Sequence, residues 1–471
     1  MFRSRLIAPY QHEGLNWIMA RERGEVPGGF LCDEMGLGKT VQMLAAMTLN
    51  LRPKTLVLVP KSLVSQWRSE IKRFVPTFNV KTFDGPKREM PVFDENPWVV
   101  VAPYSVIGER KGQPRSPLMG VNWDRVILDE AHEIRNPKSK LHIACRALKA
   151  DIRWVLTGTP IFNSLRDFVS LGTFIGLNPQ YIRDNTDDVR RTHVMRRTKQ
   201  DVTKYNIRLQ LPPLDFQNVE LEMYPEERAV YEEAFEQGRQ IAGQTTLNQL
   251  QYIQMLLEAF LRLRQICVWP QMYKDGIARK EGRDPEEWNG RSKKLETLME
   301  MLLSHRKEKS IVFCQFIGEM DRIQALISTQ GITTFRIDGS VDEEQREQQI
   351  AAFKADTTGA VFLIQIKAGG VGLNLQEATR IYITCPAWNP ATELQAIGRA
   401  HRTGQTQKVT VRRFIYLGEE NLPSVEQSIL QLQETKVKVC AEVLNDERLV
   451  AQMPARTQKI SVHQLKKLFS V

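Results

Sequence analysis

The stretch Phe30-Leu31-Cys32-Asp33-Glu34-Met35-Gly36-Leu37-Gly38-Lys39-Thr40, running on through Val41 to Met47, decides the fold. A short apolar strand enters a glycine-bearing loop and leaves through a helix-compatible segment, the way a parallel α/β sheet presents a phosphate-binding turn. Gly36 and Gly38 let backbone N–H groups face phosphate oxygens, Lys39 reaches the β and γ oxygens, and the Thr40 hydroxyl can ligate Mg²⁺. The general pattern asks for glycine at position 33, where this chain has Asp33. The flanking strand and helix carry the reading despite that departure.

Downstream, Asp129-Glu130-Ala131-His132 follows the apolar strand Val126 to Leu128. Two carboxylates at a strand's carboxyl end lie where open α/β sheets bind ligands. Asp129 is expected to hold Mg²⁺, and Glu130 to orient or deprotonate an attacking water. Gln395-Ala396-Ile397-Gly398-Arg399-Ala400-His401-Arg402 then supplies two arginines three residues apart. On a helix they would share a face, and a guanidinium spreads its charge well over phosphate oxygens.

The fold class follows from short apolar strands alternating with helical stretches, the pattern of parallel α/β sheets. The first half offers Phe30–Cys32, Thr55–Val59, Trp98–Val101, Arg125–Leu128 and Arg153–Thr157, and the second offers Ser310–Phe313, Thr334–Ile337, Ala360–Ile364, Arg380–Ile383 and Val409–Val411. Two α/β lobes are expected, at 1–205 and 291–445, with a helical insertion and linker at 206–290 and a C-terminal tail at 446–471. Within the insertion, Leu250, Ile253, Leu257, Phe260 and Leu261 recur at helical spacing and predict a helix packed on its neighbour.

A length of 471 residues exceeds one ordinary core, while 42% apolar and 25% charged content is normal for folded globular domains. The net charge of +10 attracts polyanions. Six scattered cysteines show no pair at metal-ligand spacing, which argues against a zinc module and a disulfide framework and for a reducing setting. No apolar run has the length of a signal peptide or a membrane span, so a soluble intracellular protein is expected.

These motifs, in this order, resemble the SWI/SNF-like family of helicase superfamily 2, over about Leu6 to Lys438. The resemblance also covers Pro9-Tyr10-Gln11 with Gly14-Leu15-Asn16-Trp17, Leu156-Thr157-Gly158-Thr159-Pro160-Ile161, and Arg196-Arg197-Thr198-Lys199. Further on it covers Asp338-Gly339-Ser340 with Arg346, the segment Lys367 to Leu375, and Trp388-Asn389-Pro390 leading to Gly404-Gln405.

The resemblance implies two RecA-like lobes and a DNA-dependent ATPase using ATP and Mg²⁺. It marks Gln11 as the adenine reader, and Lys39, Thr40, Asp129, Glu130, Arg399 and Arg402 as nucleotide-site residues. His132, Thr157 and Thr159 stand at the coupling positions between hydrolysis and nucleic-acid grip, Gly370 and Gly372 in a loop sensing both ligands, and Gln395 beside the arginines. Lys61, Tyr104, Ser105, Gly339, Ser340, Lys367 and Trp388 match positions holding the backbone of double-stranded DNA, which carries no sequence information. Translocation on duplex DNA by a monomer that remodels or displaces a DNA-bound protein cargo, with or without an activating partner, is the function implied. A strand-separating or RNA-dependent helicase would share every ATPase motif, and a catalytically silent DNA-binding scaffold is the non-enzyme alternative.

Leu261 to Cys267 and Arg413-Phe414-Ile415 are closest in flavour to the post-replication-repair and transcription-termination branch, but no paired cysteines mark that branch's zinc-binding ubiquitin-ligase module. The chain departs from the family at Trp269-Pro270, where His-Pro is usual, at Cys385 in place of Asp, and at Gln365 in place of Ser or Thr. Association with DNA in the cytoplasm or nucleoid of a prokaryotic or phage setting is expected ahead of a nucleus or viral compartment.

Overall fold

The computed structural model describes residues 8–86, 88–107, 116–158, 165–203, 212–243, 249–366, 373–388, 390–402, 404–419, 421–431, 433 and 469. They form two compact units, one built chiefly from residues up to Leu211 and the other chiefly from Pro212 onward.

The first unit contains β1 (Gly28–Leu31), β2 (Lys54–Val59), β3 (Asn79–Thr82), β4 (Trp98–Pro103), β5 (Asn122–Asp129), β6 (Lys149–Leu156) and β7 (Val194–Met195). Their order is β3-β4-β2-β5-β6-β1-β7 with parallel pairing throughout, Thr55 facing Arg125 and Arg125 facing Ile152. Leu56 to Val59 and Val126 to Leu128 are buried without a polar break, because helices cover both faces of such a sheet. Among these helices are α1 (Pro9–Glu22), α2 (Lys39–Leu49) and α3 (Val64–Phe74). α2 buries an unbroken run from Gln42 to Met47, whereas α3 turns only Val64, Trp67 and Ile71 inward, the spacing of one helical face. Glu22 at the end of α1 accepts from Arg125 Nε (2.7 Å) and Trp154 Nε1 (2.9 Å), a buried tie from α1 to β5 and β6.

In the second unit β8 (Leu214–Leu221), β9 (Ser310–Cys314), β10 (Thr333–Ile337), β11 (Ala360–Gln365), β12 (Arg380–Ile383) and β13 (Val409–Tyr416) pair in parallel in the order β10-β11-β9-β12-β13-β8. The segment between the two motif-bearing stretches supplies β8 and three helices, Pro225–Gly243, Gln249–Ile266 and Gln271–Glu281. Tyr231, Phe235, Leu256, Phe260 and Leu263 join one core with Val312, Leu363 and Phe414 of the sheet.

The strands expected from apolar runs are present. β3, β7 and β8 were not foreseen, since they sit at sheet edges with half-exposed or alternating side chains and lack a continuous apolar run. The helical stripe is corrected by a rotation: Leu257 and Leu261 are 44% and 41% exposed, while Tyr252, Leu256, Ala259, Phe260, Leu263 and Ile266 face the core. Phe260 belongs to both the expected and the observed face, whereas Leu256, Leu263 and Ile266 are buried one step round the helix from the expected stripe. No described helix is long and apolar enough to cross a membrane, and Cys32, Cys145, Cys267, Cys314 and Cys385 are buried free thiols.

Because all strands of a sheet run the same way, their carboxyl ends share one edge. In the first unit that edge carries the loops containing Asp33 to Gly38, Lys61, Tyr104-Ser105, Glu130 to His132 and Thr157-Gly158.

Candidate nucleotide site

The loop from Asp33 enters α2 through Gly36 at φ 94° and Gly38 at φ 78°, left-handed values that favour glycine. Gly38 caps α2, whose first-turn amides lack intrahelical acceptors and therefore form an anion-binding end. Lys39 and Thr40 are half-buried. Lys39 Nζ donates to the Asp33 carbonyl at 2.8 Å and lies so close to Gly158 that a Cβ there would be 2.9 Å away. Gly158 therefore leaves room for the lysine.

Asp33, unexplained as a phosphate-loop residue, is fully buried and clasped from the far end of the unit. Its Oδ1 accepts from Arg197 Nε (3.0 Å) and Arg197 N (3.1 Å), its Oδ2 from Gln42 Nε2 (3.1 Å), and Arg197 Nη2 completes the ion pair. Arg197 also donates to Gln42 Oε1 (2.8 Å) and to the Tyr10 carbonyl, with its guanidinium over the Tyr10 ring at 5.2 Å. Glu34 accepts from Lys199 N (2.8 Å) and pairs with Lys199 Nζ (3.4 Å), whose pKa is held below normal by burial against the opposing pull of Glu34. The segment after β7 thus brackets the phosphate loop at two acids. Gly14 lets α1 pass here, since a Cβ would strike Gln42 and Arg197.

Asp129 ends β5, with Oδ2 accepting from Trp67 Nε1 (2.8 Å) and Oδ1 from Glu130 N (2.9 Å). Burial first and the Glu130 charge second push its carboxyl up to about 6, while Trp67 and the nearby Lys39 pull it down. Glu130 is the single non-glycine with positive φ, 49°, among the described residues. That left-handed turn costs a β-substituted residue roughly 1–2 kcal/mol and redirects its carboxylate at the strand end. His132 lies 3.3 Å from Glu130; burial lowers its pKa, but Glu130 outweighs this and leaves it raised. Two adjacent acids, one reluctant to ionise, with the oxygen donors Asp129 and Thr40 suit a hard divalent cation carried with phosphates.

Gln11 is buried beside this loop: its Nε2 donates to the Leu37 carbonyl at 3.5 Å and would touch a Cβ on Gly38 at 2.8 Å. Thr157, also buried, follows β6 with its N–H on Leu31 O (3.2 Å). Lys61 and Ser105 are exposed at the ends of β2 and β4. Tyr104 is buried, and its hydroxyl donates to the Asp129 carbonyl (2.8 Å), anchoring the carboxylate strand. Thr159, Lys367, Gly370 and Gly372 lie outside the described residues.

In the second unit, Gly339 and Ser340 are exposed after β10, where Asp338 Oδ1 accepts from Ser340 Oγ (2.6 Å). Gln365 accepts from Gly339 N (3.3 Å), so the longer side chain at this departure holds that loop. Trp388 packs edge-on against Phe260 at 5.6 Å and is half-buried, which makes it part of the core margin. Cys385 is buried, its thiol pushed up to about 12 by burial, and receives Arg264 Nη2 at 3.5 Å. Gln395 lies on the helix Pro390–Ile397, which Glu393 braces through Arg413 (2.9 Å) and Ala387 N (2.6 Å). The expectation that Arg399 and Arg402 share a helical face is corrected. The helix ends at Ile397, and turns follow it, with Arg399 N on Ala396 O and His401 N on Ile397 O. Arg399 is buried; Arg402, half-buried, is grouped with the first unit.

Sequence reasoning missed Trp67 and Gln42, and it named Arg197 and Lys199 only as part of a family motif, without a role at the phosphate loop. The first two lie on amphipathic or apolar helix faces that read as ordinary core. For the others the signal was the motif Arg196 to Lys199 read together with Asp33, since an acid in a tight loop next to buried strands needs a cation.

A model of the SNF2-related domain matches residues 10–185, and one of the helicase conserved C-terminal domain matches residues 293–404. The chain is 31% identical over 466 residues to the "Probable global transactivator" of Orgyia pseudotsugata multicapsid polyhedrosis virus, covering 93% of this chain and 91% of that protein. It is 30% identical over 490 residues to the Mus musculus "SWI/SNF-related matrix-associated actin-dependent regulator of chromatin subfamily A member 1", covering 97% of this chain but only 45% of that relative's length. Among solved structures, the "Sulfolobus solfataricus SWI2/SNF2 ATPase core in complex with dsDNA" aligns with 100% of this chain and 98% of its own, at 25% identity and a TM-score of 0.41. With both domain models in the order of the motifs, and a viral relative matched over nearly its whole length, the chain belongs to the SWI/SNF-like family of helicase superfamily 2, a family of ATPases.

Proposed function

We propose that the chain hydrolyses ATP to translocate on double-stranded DNA and so remodels or displaces DNA-bound proteins. The observation that carries this reading is the strand-end site of the first unit, where Lys39 lies between the Asp33 carbonyl and Gly158, and where Asp129 at the end of β5 and Glu130 after it, the latter at φ 49°, lie on the same edge. Lys39 and the first-turn amides of α2 hold the phosphates, Gln11 reads adenine, and Glu130 orients and deprotonates water. Mg²⁺, held by Asp129 and Thr40, would neutralise charge on the phosphates. Arg399 and Arg402 add positive charge to the transferred phosphoryl group, a role worth roughly 10³–10⁵ in rate.

Lys39 and Arg399 belong to different units, so in this reading hydrolysis draws on both of them, and that dependence turns ATP use into movement. His132, Thr157, Thr159, Gly370, Gly372 and Gln395 transmit that change to the nucleic-acid grip. Exposed Lys61, Ser105, Gly339 and Ser340 at strand ends, together with Lys367 and the net charge of +10, favour a sequence-independent backbone contact. The relatives' names, a global transactivator and a regulator of chromatin, accord with action on DNA-bound protein. A monomer working on duplex DNA, alone or with an activating partner, is the form proposed.

ATP turnover by the purified chain at low salt tests this, with no nucleic acid, duplex DNA, single-stranded DNA or RNA, and Glu130→Gln as the blank. Stimulation by duplex is expected, followed by displacement of a triplex-forming strand. Stimulation only by single strands or RNA would replace the reading with a strand-separating helicase, and turnover no higher than the blank would reject the motor.

A further inference from the structure

Arg197 touches both the phosphate loop and the turn that carries Gln11. One side of its guanidinium is spent on Asp33 and Gln42, which fix the entry to the phosphate loop and the buried face of α2. The other side faces the first turn of α1: it donates to the Tyr10 carbonyl and lies over the Tyr10 ring. Tyr10 in turn donates from its hydroxyl to Leu37 O (3.2 Å), the same carbonyl that receives Gln11 Nε2. Tyr10, Gln11 and the loop therefore meet at one backbone oxygen, and a single buried cation joins the peptide carrying Gln11 to the acid beginning the loop. Gly14 and Gly38 are the close approaches that permit it.

We infer that Arg197 is a positioning residue for base selectivity: it sets the distance between the Gln11 amide and the phosphate loop, so that adenine is read only when the phosphates are seated. This rests on the assignment of Gln11 as the adenine reader. A lysine at 197 can keep a charge beside Asp33 but, as a point donor, cannot at once fork onto Asp33 and Gln42 and reach Tyr10 O. The loop would stay charged-paired while α1 loses its tie.

Steady-state turnover of ATP and GTP by the full chain, with duplex DNA, would be compared for wild type, Arg197→Lys, Gln11→Ala and the double variant. Arg197→Lys is expected to raise the KM for ATP at least tenfold, to leave kcat at saturating ATP within about threefold, and to cut the ATP-over-GTP ratio of kcat/KM about tenfold. Gln11→Ala should cut that ratio similarly, and the double variant should fall no further than either single one, the non-additivity of residues acting through one another. An Arg197→Lys protein that loses ATP and GTP turnover alike, keeping the ratio within twofold, would overturn the inference. So would full additivity in the double variant. An unchanged ratio in Gln11→Ala would instead remove the adenine-reader assignment, and the inference with it, while leaving the ATPase reading intact. Should Arg197→Lys fail to fold, Gln42→Met, which removes one arm of the same brace, is expected to lower the ratio by severalfold, and no change there would count against the inference.

Discussion

Asp129→Asn should make the nucleotide-free protein more stable at neutral pH while abolishing ATP turnover. The carboxyl is raised to about 6 by burial and by Glu130, against roughly 3.9 in an unfolded chain. A carboxyl raised on folding binds more protons in the native state between those two values, so stability falls as pH climbs from about 4 to about 6 and the penalty is complete above 6. Two pKa units correspond to about 3 kcal/mol. Asparagine removes that penalty but offers one acceptor to two donors, Trp67 Nε1 and Glu130 N. Losing one of these bonds returns about 1–1.5 kcal/mol. The net gain at pH 7.5 is then about 1–2 kcal/mol, a rise of roughly 2–8 °C in the melting temperature of a unit this size. Calorimetry of both proteins without nucleotide, from pH 4 to 8, measures it. The advantage should shrink as pH falls through 6 and vanish or reverse near 4. A variant less stable than wild type at pH 7.5, or one whose difference ignores pH, would refute the argument that this carboxylate is held against its own preference.

Three other outcomes follow from the geometry. Lys294→Met should destabilise the second unit by about 3–5 kcal/mol, because Lys294 and Glu426 are a fully buried pair at 2.7 Å and removing one strands the other; in thermal unfolding, adding Glu426→Gln should recover much of the loss. Glu130→Gly should stop turnover yet raise the first unit's melting temperature by relieving about 1 kcal/mol of left-handed backbone cost, whereas Glu130→Gln stops turnover while keeping that cost. Cys385→Asp should place a carboxylate against buried Arg264, now bonded to Cys385 Sγ, Pro386 O (3.0 Å) and Gln315 Oε1 (3.3 Å); DNA-stimulated turnover equal to or above wild type is expected, and a clear fall would show that this site does not accept the family's usual aspartate.

The errors of sequence reading share one cause. Leu257 and Leu261 outrank Ala259 in hydrophobicity, yet Ala259 faces the core, because which arc of the helix Gln249–Ile266 is buried depends on where β9, β11 and β13 place their side chains. β8 is exposed or half-buried until its last residue, Leu221, and becomes a strand only because β13 offers it a full-length partner from Val409 to Tyr416. Tyr104 follows β4, where a strand end suggests an outward ring, but its hydroxyl reaches across β2 to the Asp129 carbonyl at the end of β5.

By itself the sequence determined the parallel α/β class, the strands with unbroken apolar runs, and the order of phosphate loop, paired acids and arginines. Each of these is written in residues close together in the chain, where period, glycine placement and charge act locally. Only the tertiary structure decided that Asp33 is bound by Arg197, that Trp67 braces Asp129, and that Glu130 stands in a left-handed turn. Those facts depend on pairs 164 and 62 residues apart and on a backbone angle imposed by the sheet edge. The physical reason is that a buried charge must find a partner wherever the fold brings one, and separation along the chain carries no record of that meeting.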